Sequence, residues 1–255
     1  MPEAMIKASN LGFAIGKKII LQGLDFSIQK NDFVFIFGQN GAGKSTLLKI
    51  LAGIIPARCG EVLVEGKNVA HLSKRELAGK LSFLPQSDDF CLPILVKDVL
   101  LSGRYPYQSL FKDFSSRDYE IYKEGVECFA LKDLVQRNIQ TLSGGERKKV
   151  LLATAFIQDV PIILLDEPMN FLDPASSFQM IRMLEGLHRR GKTILLVSHL
   201  IEYFFPYANK ILALKSGKQH YFGAKVFSPE LFKEIYNVSF KHIFLENKEI
   251  IYANE

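Results

Sequence analysis

The stretch Gly38-Gln39-Asn40-Gly41-Ala42-Gly43-Lys44-Ser45-Thr46 decides the fold of this chain. It matches the phosphate-binding pattern G-x-x-x-x-G-K-[ST] at every fixed position. The apolar run from Phe33 to Phe37 before it is typical of a buried parallel strand, and the segment from Leu47 to Ala52 after it continues as a helix. A glycine-rich turn before an ordinary helix would rarely reproduce the full pattern in this context. We therefore predict that the chain binds a nucleoside triphosphate.

The residue types of this phosphate loop (Gly38–Thr46) explain why it suits a phosphate chain. Gly38, Gly41 and Gly43 allow a tight turn in which successive N–H groups face the phosphates at a helix N-terminus. Lys44 is expected to reach the β- and γ-phosphates, and the Ser45 hydroxyl is expected to bind Mg²⁺.

Length and composition allow one α/β domain, with or without a subdomain, because the chain has 255 residues of which 48% are hydrophobic. No apolar run approaches the ~20 residues of a membrane span, and the first ten residues lack the apolar stretch of a signal peptide. We therefore predict a cytosolic protein. Cys59, Cys91 and Cys128 are far apart without metal-ligand spacing, which favours reduced thiols in the core.

The net charge of +5 does not indicate a particular partner. The densest basic clusters, Arg147–Lys149 and His188–Arg190, are short and are explained by solvated helix faces. We predict no nucleic-acid partner.

Strand and helix patterns alternate along most of the chain, which predicts a mostly parallel sheet covered on both faces. A strand pair turning at Gly16–Lys18 comes first. The other predicted strands are residues 61–66, 81–84, 162–165 and 193–197, with hairpins over 211–222 and 240–252, the second turning at 246–248. The predicted helices begin at Lys44 and Ser73, and cover 96–101, 117–134, 144–157, 174–190 and 230–236. Only helical periodicity appears between about 88 and 158, so we expect an α-helical subdomain there.

Three further sites suit phosphate chemistry, although each has a purely structural explanation when taken alone. Asp166 and Glu167 follow a buried strand, where carboxylates hold Mg²⁺ or polarise water, but paired acids also occur in solvated loops. The segment Leu142–Glu146 precedes a helix whose first N–H groups suit an anion, but it also reads as an N-cap. His199 lies just beyond a strand, where a lone histidine is more often structural.

The order of these motifs resembles that of the nucleotide-binding subunits of ABC transporters. The phosphate loop is followed by Gln86, Leu-Ser-Gly-Gly-Glu, four aliphatic residues with Asp-Glu-Pro, Leu172-Asp173 and His199, over about Ile6 to Tyr236. The resemblance implies an ABC ATPase of the P-loop NTPase fold, with N-terminal antiparallel strands, a mostly parallel α/β core at 4–87 and 159–240, and the helical subdomain at 88–158. Residues 241–255 would form a C-terminal extension.

The same resemblance implies a role for each matched residue. The phosphate loop, including Gln39, Asn40, Ala42 and Thr46, would bind ATP, with Ser45, Gln86 and Asp166 around Mg²⁺. Glu167 would be the catalytic base, His199 would contact the γ-phosphate, and Gln86 would link that site to a membrane partner. Ser143, Gly144, Gly145 and Glu146 would complete the site of a second, head-to-tail subunit.

A narrower similarity concerns Asp98–Tyr107, which contains Gly-Arg-Tyr-Pro, together with Leu142–Arg147. This pair of segments is similar to the ATPases of importers for ferric siderophores, haem and cobalamin. It implies ATP hydrolysis at the cytoplasmic face of the inner membrane, on a permease contacted near Gln86 to Tyr107, with a substrate-binding protein acting upstream. A soluble ABC ATPase that assembles iron–sulfur clusters remains the alternative. Repair or translation ATPases would need a long coiled-coil insertion or a second ATPase domain, which this sequence lacks.

Two positions depart from the family pattern. Ile15 stands where many members carry an aromatic residue that stacks on adenine, which weakens the expected preference for ATP over GTP, although Phe13 is on the same strand face. Met169-Asn170-Phe171 replaces the usual small polar residues before Leu172-Asp173, so we expect altered contacts between subunits there.

Overall fold

The computed structural model describes residues 4–86, 92–108, 113–170, 172–245 and 248–254. Its strands are β1 (Ile6–Ile15), β2 (Lys18–Ile28), β3 (Phe33–Phe37), β4 (Cys59–Val64), β5 (Lys67–Asn68), β6 (Leu81–Leu84), β7 (Ile162–Asp166), β8 (Thr193–Val197), β9 (Lys210–Lys215), β10 (Lys218–Ala224), β11 (Ser239–Leu245) and β12 (Lys248–Asn254). Its α-helices are α1 (Lys44–Leu51), α2 (Lys74–Ala78), α3 (Val96–Ser102), α4 (Ser116–Cys128), α5 (Gly144–Gln158), α6 (Pro174–Arg189), α7 (Ile201–Phe204) and α8 (Pro229–Tyr236).

Ten of these strands form one mixed sheet in the order β5-β4-β1-β2-β10-β9-β3-β8-β7-β6. Strands β9, β3, β8, β7 and β6 are parallel, whereas β1, β2, β4 and β5 pair antiparallel. The predicted α/β fold, with a mostly parallel core and N-terminal antiparallel strands, is confirmed. The two parts of the sheet meet where Lys218 pairs with Gln22, whose N–H donates to the Gly217 carbonyl at 2.8 Å.

The central strand β3 is buried at all five positions because both of its faces are covered. Phe33, Phe35 and Phe37 pack with the helical region and α6 to α8. Val34 and Ile36 point to the opposite face, toward α1, α2 and the antiparallel strands. This double burial fixes the strand end from which the phosphate loop departs.

The helical region is held together by the Gly-Arg-Tyr-Pro segment. The buried Arg104 side chain donates to Asp118 Oδ1 at 2.7 Å and to the Ile157 carbonyl at 2.9 Å, so it ties α4 to the end of α5. A Cβ on Gly103 would lie 2.7 Å from the Thr154 carbonyl, so only glycine permits this approach of α3 to α5. The segment therefore has a structural explanation that does not involve a transported molecule.

Two expectations about local structure were wrong. The helix predicted over 117–134 ends at Cys128, because Phe129 leaves the helical conformation and Ala130 adopts φ 44°. Cys59 and Cys128 are free, as predicted, but exposed rather than in the core. Met169 is 3% exposed and packs in the core, whereas Asn170 is half-buried, so the expectation of altered contacts between subunits stays a prediction.

Some expectations fall on the undescribed residues, namely Phe171, most of the 246–248 turn, and residues 88–91 (with Cys91) and 109–112 of the proposed helical subdomain. The second hairpin itself is present, since β11 and β12 pair antiparallel from Ser239–Asn254 to Leu245–Lys248. The division into core, subdomain and extension stays a prediction. Within the described ranges, no helix combines the length and hydropathy needed to cross a bilayer.

Candidate functional site

The phosphate loop connects the end of β3 to the start of α1, as its sequence predicts. Gly41 and Gly43 adopt φ 79° and 92°, in the left-handed region that favours glycine. A Cβ on Gly43 would lie 2.4 Å from Leu21 Cδ2, and one on Gly38 would lie 2.2 Å from the Leu214 carbonyl oxygen. The glycines are therefore needed both for the turn and for its close packing on β2 and β9.

Lys44 is folded back over this loop and is only 6% exposed. Its Nζ donates to the carbonyls of Gly38 at 2.8 Å and Gln39 at 3.1 Å. Burial lowers the pKa of Lys44, and the charges of Glu167 and Asp166 oppose this shift in part. The ammonium group thus faces the loop where phosphates are expected.

Ser45 and Asp166 bring two oxygen donors together at the edge of the sheet. The Ser45 hydroxyl donates to Asp166 Oδ1 at 3.0 Å, across 121 positions of sequence. A hydroxyl and a carboxylate are hard oxygen ligands of the kind that Mg²⁺ accepts beside nucleotide phosphates. The donor set fits Mg²⁺, although no group of three or more His, Cys, Asp or Glu side chains is placed to hold a metal within the described ranges.

Glu167 follows Asp166 directly and is 2% exposed. It adopts φ 49°, its N–H donates to the Val197 carbonyl at 2.9 Å, and its Oε2 accepts the His199 N–H at 3.3 Å. His199 Nε2 lies 3.1 Å from Glu167 Oε1 without forming a hydrogen bond with it. The ends of β7 and β8 thus bring a carboxylate and an imidazole together.

The protonation of these groups follows from their burial. Burial raises the pKa of Asp166 against the Ser45 hydroxyl and nearby lysines, and it raises the pKa of Glu167 against the His199 N–H, Ser198 and Lys44. Burial and the charge of Lys44 lower the pKa of His199, so its imidazole is neutral near pH 7. A carboxylate with a raised pKa is suited to accept a proton at neutral pH.

These groups line an open cleft of about 540 Å³. Its wall consists of Lys18, Ile19, Ile20, residues 40–46, Gln86, Glu167, His199, Ser216 and Gly217. Gln86 is exposed there, and its main-chain carbonyl accepts the Lys148 ammonium of α5 at 2.9 Å. The predicted residues Asn40 to Thr46, Gln86, Glu167 and His199 therefore share one site, with Asp166 directly behind Ser45.

Sequence reasoning missed the part of the wall formed by two hairpin turns. Ser216 and Gly217 belong to the turn after β9, which reaches the cleft only because β10 lies beside β2. Ile15 and Ile19 are 65% and 60% exposed at the other turn, and Ile19 rather than Ile15 lines the cleft. The turn at Gly16–Lys18 and the hairpin over 211–222 are both predicted from the sequence, but no local pattern indicates that Ile19, Ser216 or Gly217 borders the cleft.

The Leu142–Glu146 segment does not reach this cleft. Ser143 caps α5, its hydroxyl accepting the Glu146 N–H at 3.2 Å while its own N–H donates to Glu146 Oε2 at 2.8 Å. Ser143, Gly145 and Glu146 instead line a small hollow of about 130 Å³ with Leu172 and Ser176. One chain therefore presents two separate surfaces, a phosphate cleft and an exposed helix start.

A family model described as ABC transporter matches residues 21–170, which span the phosphate loop, the Leu142–Glu146 segment and Asp166–Glu167. The chain belongs to the ABC transporter family. The family resemblance predicted from the sequence is thus confirmed.

Several relatives of this ABC ATPase are named as ATP-binding proteins of import or transport systems. The iron(3+)-hydroxamate import ATP-binding protein FhuC of Bacillus subtilis is 31% identical over 91% of this chain and 88% of its own length. The petrobactin import ATP-binding protein YclP of the same organism is 30% identical, over 96% and 98%. The ferric enterobactin transport ATP-binding protein FepC of Escherichia coli is 31% identical, over 92% and 88%.

Solved structures agree with this assignment. An ABC transporter assigned to the metal-chelate type, in an inward-facing conformation, aligns with a TM-score of 0.84 and 26% identity over 99% of this ABC ATPase and 98% of that chain. A dimeric ATP-binding cassette in a post-hydrolysis state with ADP and Pi aligns with a TM-score of 0.75 and 26% identity, over 88% and 100%.

Proposed function

We propose that this chain is the ATP-hydrolysing subunit that powers import of an iron complex, a siderophore or haem, or of cobalamin through a membrane permease. The observation that carries the proposal is the single cleft in which the phosphate loop, Glu167 and His199 converge, with Asp166 beside Ser45. The import names of FhuC, YclP and FepC support the substrate class.

In this proposal Glu167 removes the proton from the attacking water. Water attacks the γ-phosphorus of ATP, the bond to the ADP oxygen breaks, and the proton passes to a Glu167 Oε atom. Lys44 releases the Gly38 and Gln39 carbonyls and pairs with phosphate oxygens, while neutral His199 contacts the γ-phosphate. Positioning and charge neutralisation then supply most of the rate enhancement.

Mg²⁺ would be held by the Ser45 hydroxyl, with Asp166 and Gln86 nearby. When bound, the ion neutralises charge on the β- and γ-phosphates. Asp166 already accepts a hydrogen bond from Ser45, so the two oxygens need little rearrangement.

A second copy of the chain completes the site. Ser143 to Glu146 stand exposed or half-exposed at the start of α5, away from their own cleft. The first N–H groups of a helix attract phosphate, so this end is suited to the nucleotide of a head-to-tail partner. Assembly from two chains makes hydrolysis depend on closure.

The permease is expected to contact the groove between the core and the helical region, on the cytoplasmic face of the membrane. This groove of about 400 Å³ is lined mainly by apolar residues of α2, β6, α5 and the segment just after α1 (residues 52–54), and it reaches Pro85 next to Gln86. Arg75 of α2 donates to the Pro106 carbonyl at 3.0 Å, which holds the Gly-Arg-Tyr-Pro segment at one side. A substrate-binding protein would act upstream.

The assembly-factor alternative is not supported by the relatives reported above, all named for import or transport.

The test is to trap the Glu167→Gln protein with Mg-ATP in its native membranes, purify it and identify its partners by mass spectrometry. We expect a polytopic permease in a two-to-two complex. Lys44→Ala is the control, because it should not form the ATP-dependent dimer. Recovery of soluble partners alone would favour the assembly-factor function.

A further inference from the structure

The first residue of the phosphate loop is bonded to the C-terminal part of the chain. The Gly38 N–H donates to the Tyr236 hydroxyl oxygen at 3.2 Å, across 198 positions of sequence. Tyr236 is the last residue of α8, shortly before the hairpin formed by β11 and β12. Tyr236 lies outside every motif that the sequence indicated.

Gly38 is therefore held on both of its main-chain polar groups. Tyr236 accepts its N–H, and the Lys44 ammonium donates to its carbonyl at 2.8 Å. Since a Cβ at Gly38 would lie 2.2 Å from the Leu214 carbonyl, the backbone is also pressed against β9. Because the proposed mechanism moves Lys44 to the phosphates, the contacts with Tyr236 and β9 are those that hold Gly38 when ATP is bound.

The Tyr236 ring is itself held by aromatic contacts. It stacks on Phe37 with centroids 6.3 Å apart, and it packs at a tilt of 47° on Phe240 of β11 at 5.7 Å. Phe240 also packs on Phe232 at 5.1 Å, and Ile251 of β12 is 1% exposed in the same cluster. The C-terminal hairpin thus covers the ring whose hydroxyl faces Gly38.

We propose that Tyr236 is a positioning residue for the phosphate loop, and that the C-terminal hairpin, through Phe240, keeps its hydroxyl on the Gly38 N–H. This inference rests on the proposed function, because it assigns Tyr236 a role in ATP binding. The hydroxyl acts on the loop and not on Glu167, so its loss weakens nucleotide affinity and leaves the proton transfer unchanged. Burial raises the pKa of Tyr236, so the hydroxyl stays protonated throughout the working pH range.

The test compares Tyr236→Phe with Tyr221→Phe in the full-length chain. Tyr236→Phe keeps the stacked ring and deletes only the acceptor of the buried Gly38 N–H. We expect the Kd and KM for ATP to rise roughly fivefold, as for one lost hydrogen bond, with kcat within about twofold of wild type. Amide exchange at Gly38 should accelerate.

Tyr221→Phe is the matched control. It removes a tyrosine hydroxyl that donates to the Ala224 carbonyl at 3.0 Å, outside the cleft. We expect this variant to keep the wild-type Kd for ATP and Gly38 exchange. Phe240→Leu, which loosens the cover over Tyr236, should raise the Kd in the same direction as Tyr236→Phe.

Three outcomes would overturn the inference. The first is an unchanged Kd for ATP in Tyr236→Phe, and the second is an equal rise of the Kd in Tyr221→Phe. The third is a fall in kcat and Tm without any change in Kd in Phe240→Leu. Lys44→Ala separates this failure from that of the proposed function. If Lys44→Ala loses ATP binding while Tyr236→Phe does not, only the role of Tyr236 is rejected.

Discussion

Buried charges have opposite environments in the cleft and in the helical region. In the cleft, burial raises the pKa of Asp166 and Glu167, and both are less than 3% exposed. In the helical region, burial also acts to raise the pKa of Asp118, but hydrogen bonds from Ser115 and Arg104 outweigh it and the net shift is downward. The ionised carboxylate is thus stabilised at Asp118 in the helical region and destabilised at Asp166 and Glu167 in the cleft.

This difference separates a reactive site from a structural one. Arg104 and Asp118 compensate each other, so their burial holds three helices together and leaves no reactive group. Asp166 and Glu167 adjoin each other, and like charges in a buried site cost stability unless a ligand or substrate uses them. The comparison therefore supports the cleft as the candidate functional site without reference to the motifs.

The largest effect is expected for Glu167→Gln. Loss of the general base should lower kcat about 10²–10⁴-fold, because the amide cannot accept the proton of water. ATP should still bind and still produce dimers, measured by size exclusion with Mg-ATP. Glu120→Gln, on the exposed surface of α4, is the matched control and should keep wild-type turnover. Turnover near the wild-type level in Glu167→Gln would exclude its role as the base.

Arg104→Leu should reduce stability more than activity. Removing one partner of a buried ion pair costs ~3–5 kcal/mol, because the Asp118 carboxylate is left without its charge partner. Urea unfolding measures this loss, and the Kd for ATP should not change. Arg117→Leu is the control, since its pair with Glu120 is exposed on both sides and contributes under ~0.5 kcal/mol. Equal losses in both variants would contradict the structural role.

Lys44→Ala should weaken ATP binding by roughly 1.5–3 kcal/mol, or about 10- to 100-fold, as expected for lost hydrogen bonds to charged groups. Calorimetric titration in the absence of Mg²⁺ measures the Kd without turnover. An unchanged Kd for ATP would exclude the phosphate loop from the ATP-binding site.

Gly144→Ala tests whether the second surface acts on a partner. A Cβ at Gly144 meets nothing within 4 Å, and the same is true of Gly186 in α6, so neither substitution should harm the isolated fold. In the closed dimer the methyl group added at position 144 would crowd the partner's nucleotide. This crowding should raise the activation free energy of ATP hydrolysis by ~1–3 kcal/mol. Gly186→Ala should keep wild-type ATPase activity. Full activity in Gly144→Ala would argue against a composite site.

The smallest effect concerns pH, and its sign differs between the two regions. The folded-state pKa of Glu167 is raised, so its contribution is most favourable at low pH and is lost as pH rises above 4.5. Glu167→Gln should therefore gain stability over wild type as pH rises. The pKa of Asp118 is lowered, so its contribution is lost as pH falls through 3.8 and below. Asp118→Asn should approach wild-type stability in acid. Urea unfolding at several pH values measures the free energy of unfolding of each variant relative to wild type. If this difference changed with pH in the same way for Glu167→Gln and Asp118→Asn, the comparison would be contradicted.

Local patterns were sufficient to predict the phosphate loop, the strand ends carrying Asp166 and His199, and the capped starts of α2 and α5. These features depend on neighbouring residues, which is why they can be read from the sequence. The Arg104 network, the Ser216–Gly217 wall and the Tyr236 contact join residues 50 to 200 positions apart or depend on strand order. The end of α4 was missed because Ala130 adopts a left-handed conformation that its residue type does not indicate.

The junction between the two parts of the main sheet lies in the wall of the cleft. The Gly217–Gln22 hydrogen bond connects them, and Gly217 and Ile20 both border the nucleotide space. A nucleotide in the cleft would touch the parallel sheet through the phosphate loop and the antiparallel sheet through β2. ATP would then contact both parts of the main sheet, which are otherwise joined by the short pairing of β10 with β2. Amide protection along β2 would therefore report nucleotide binding directly.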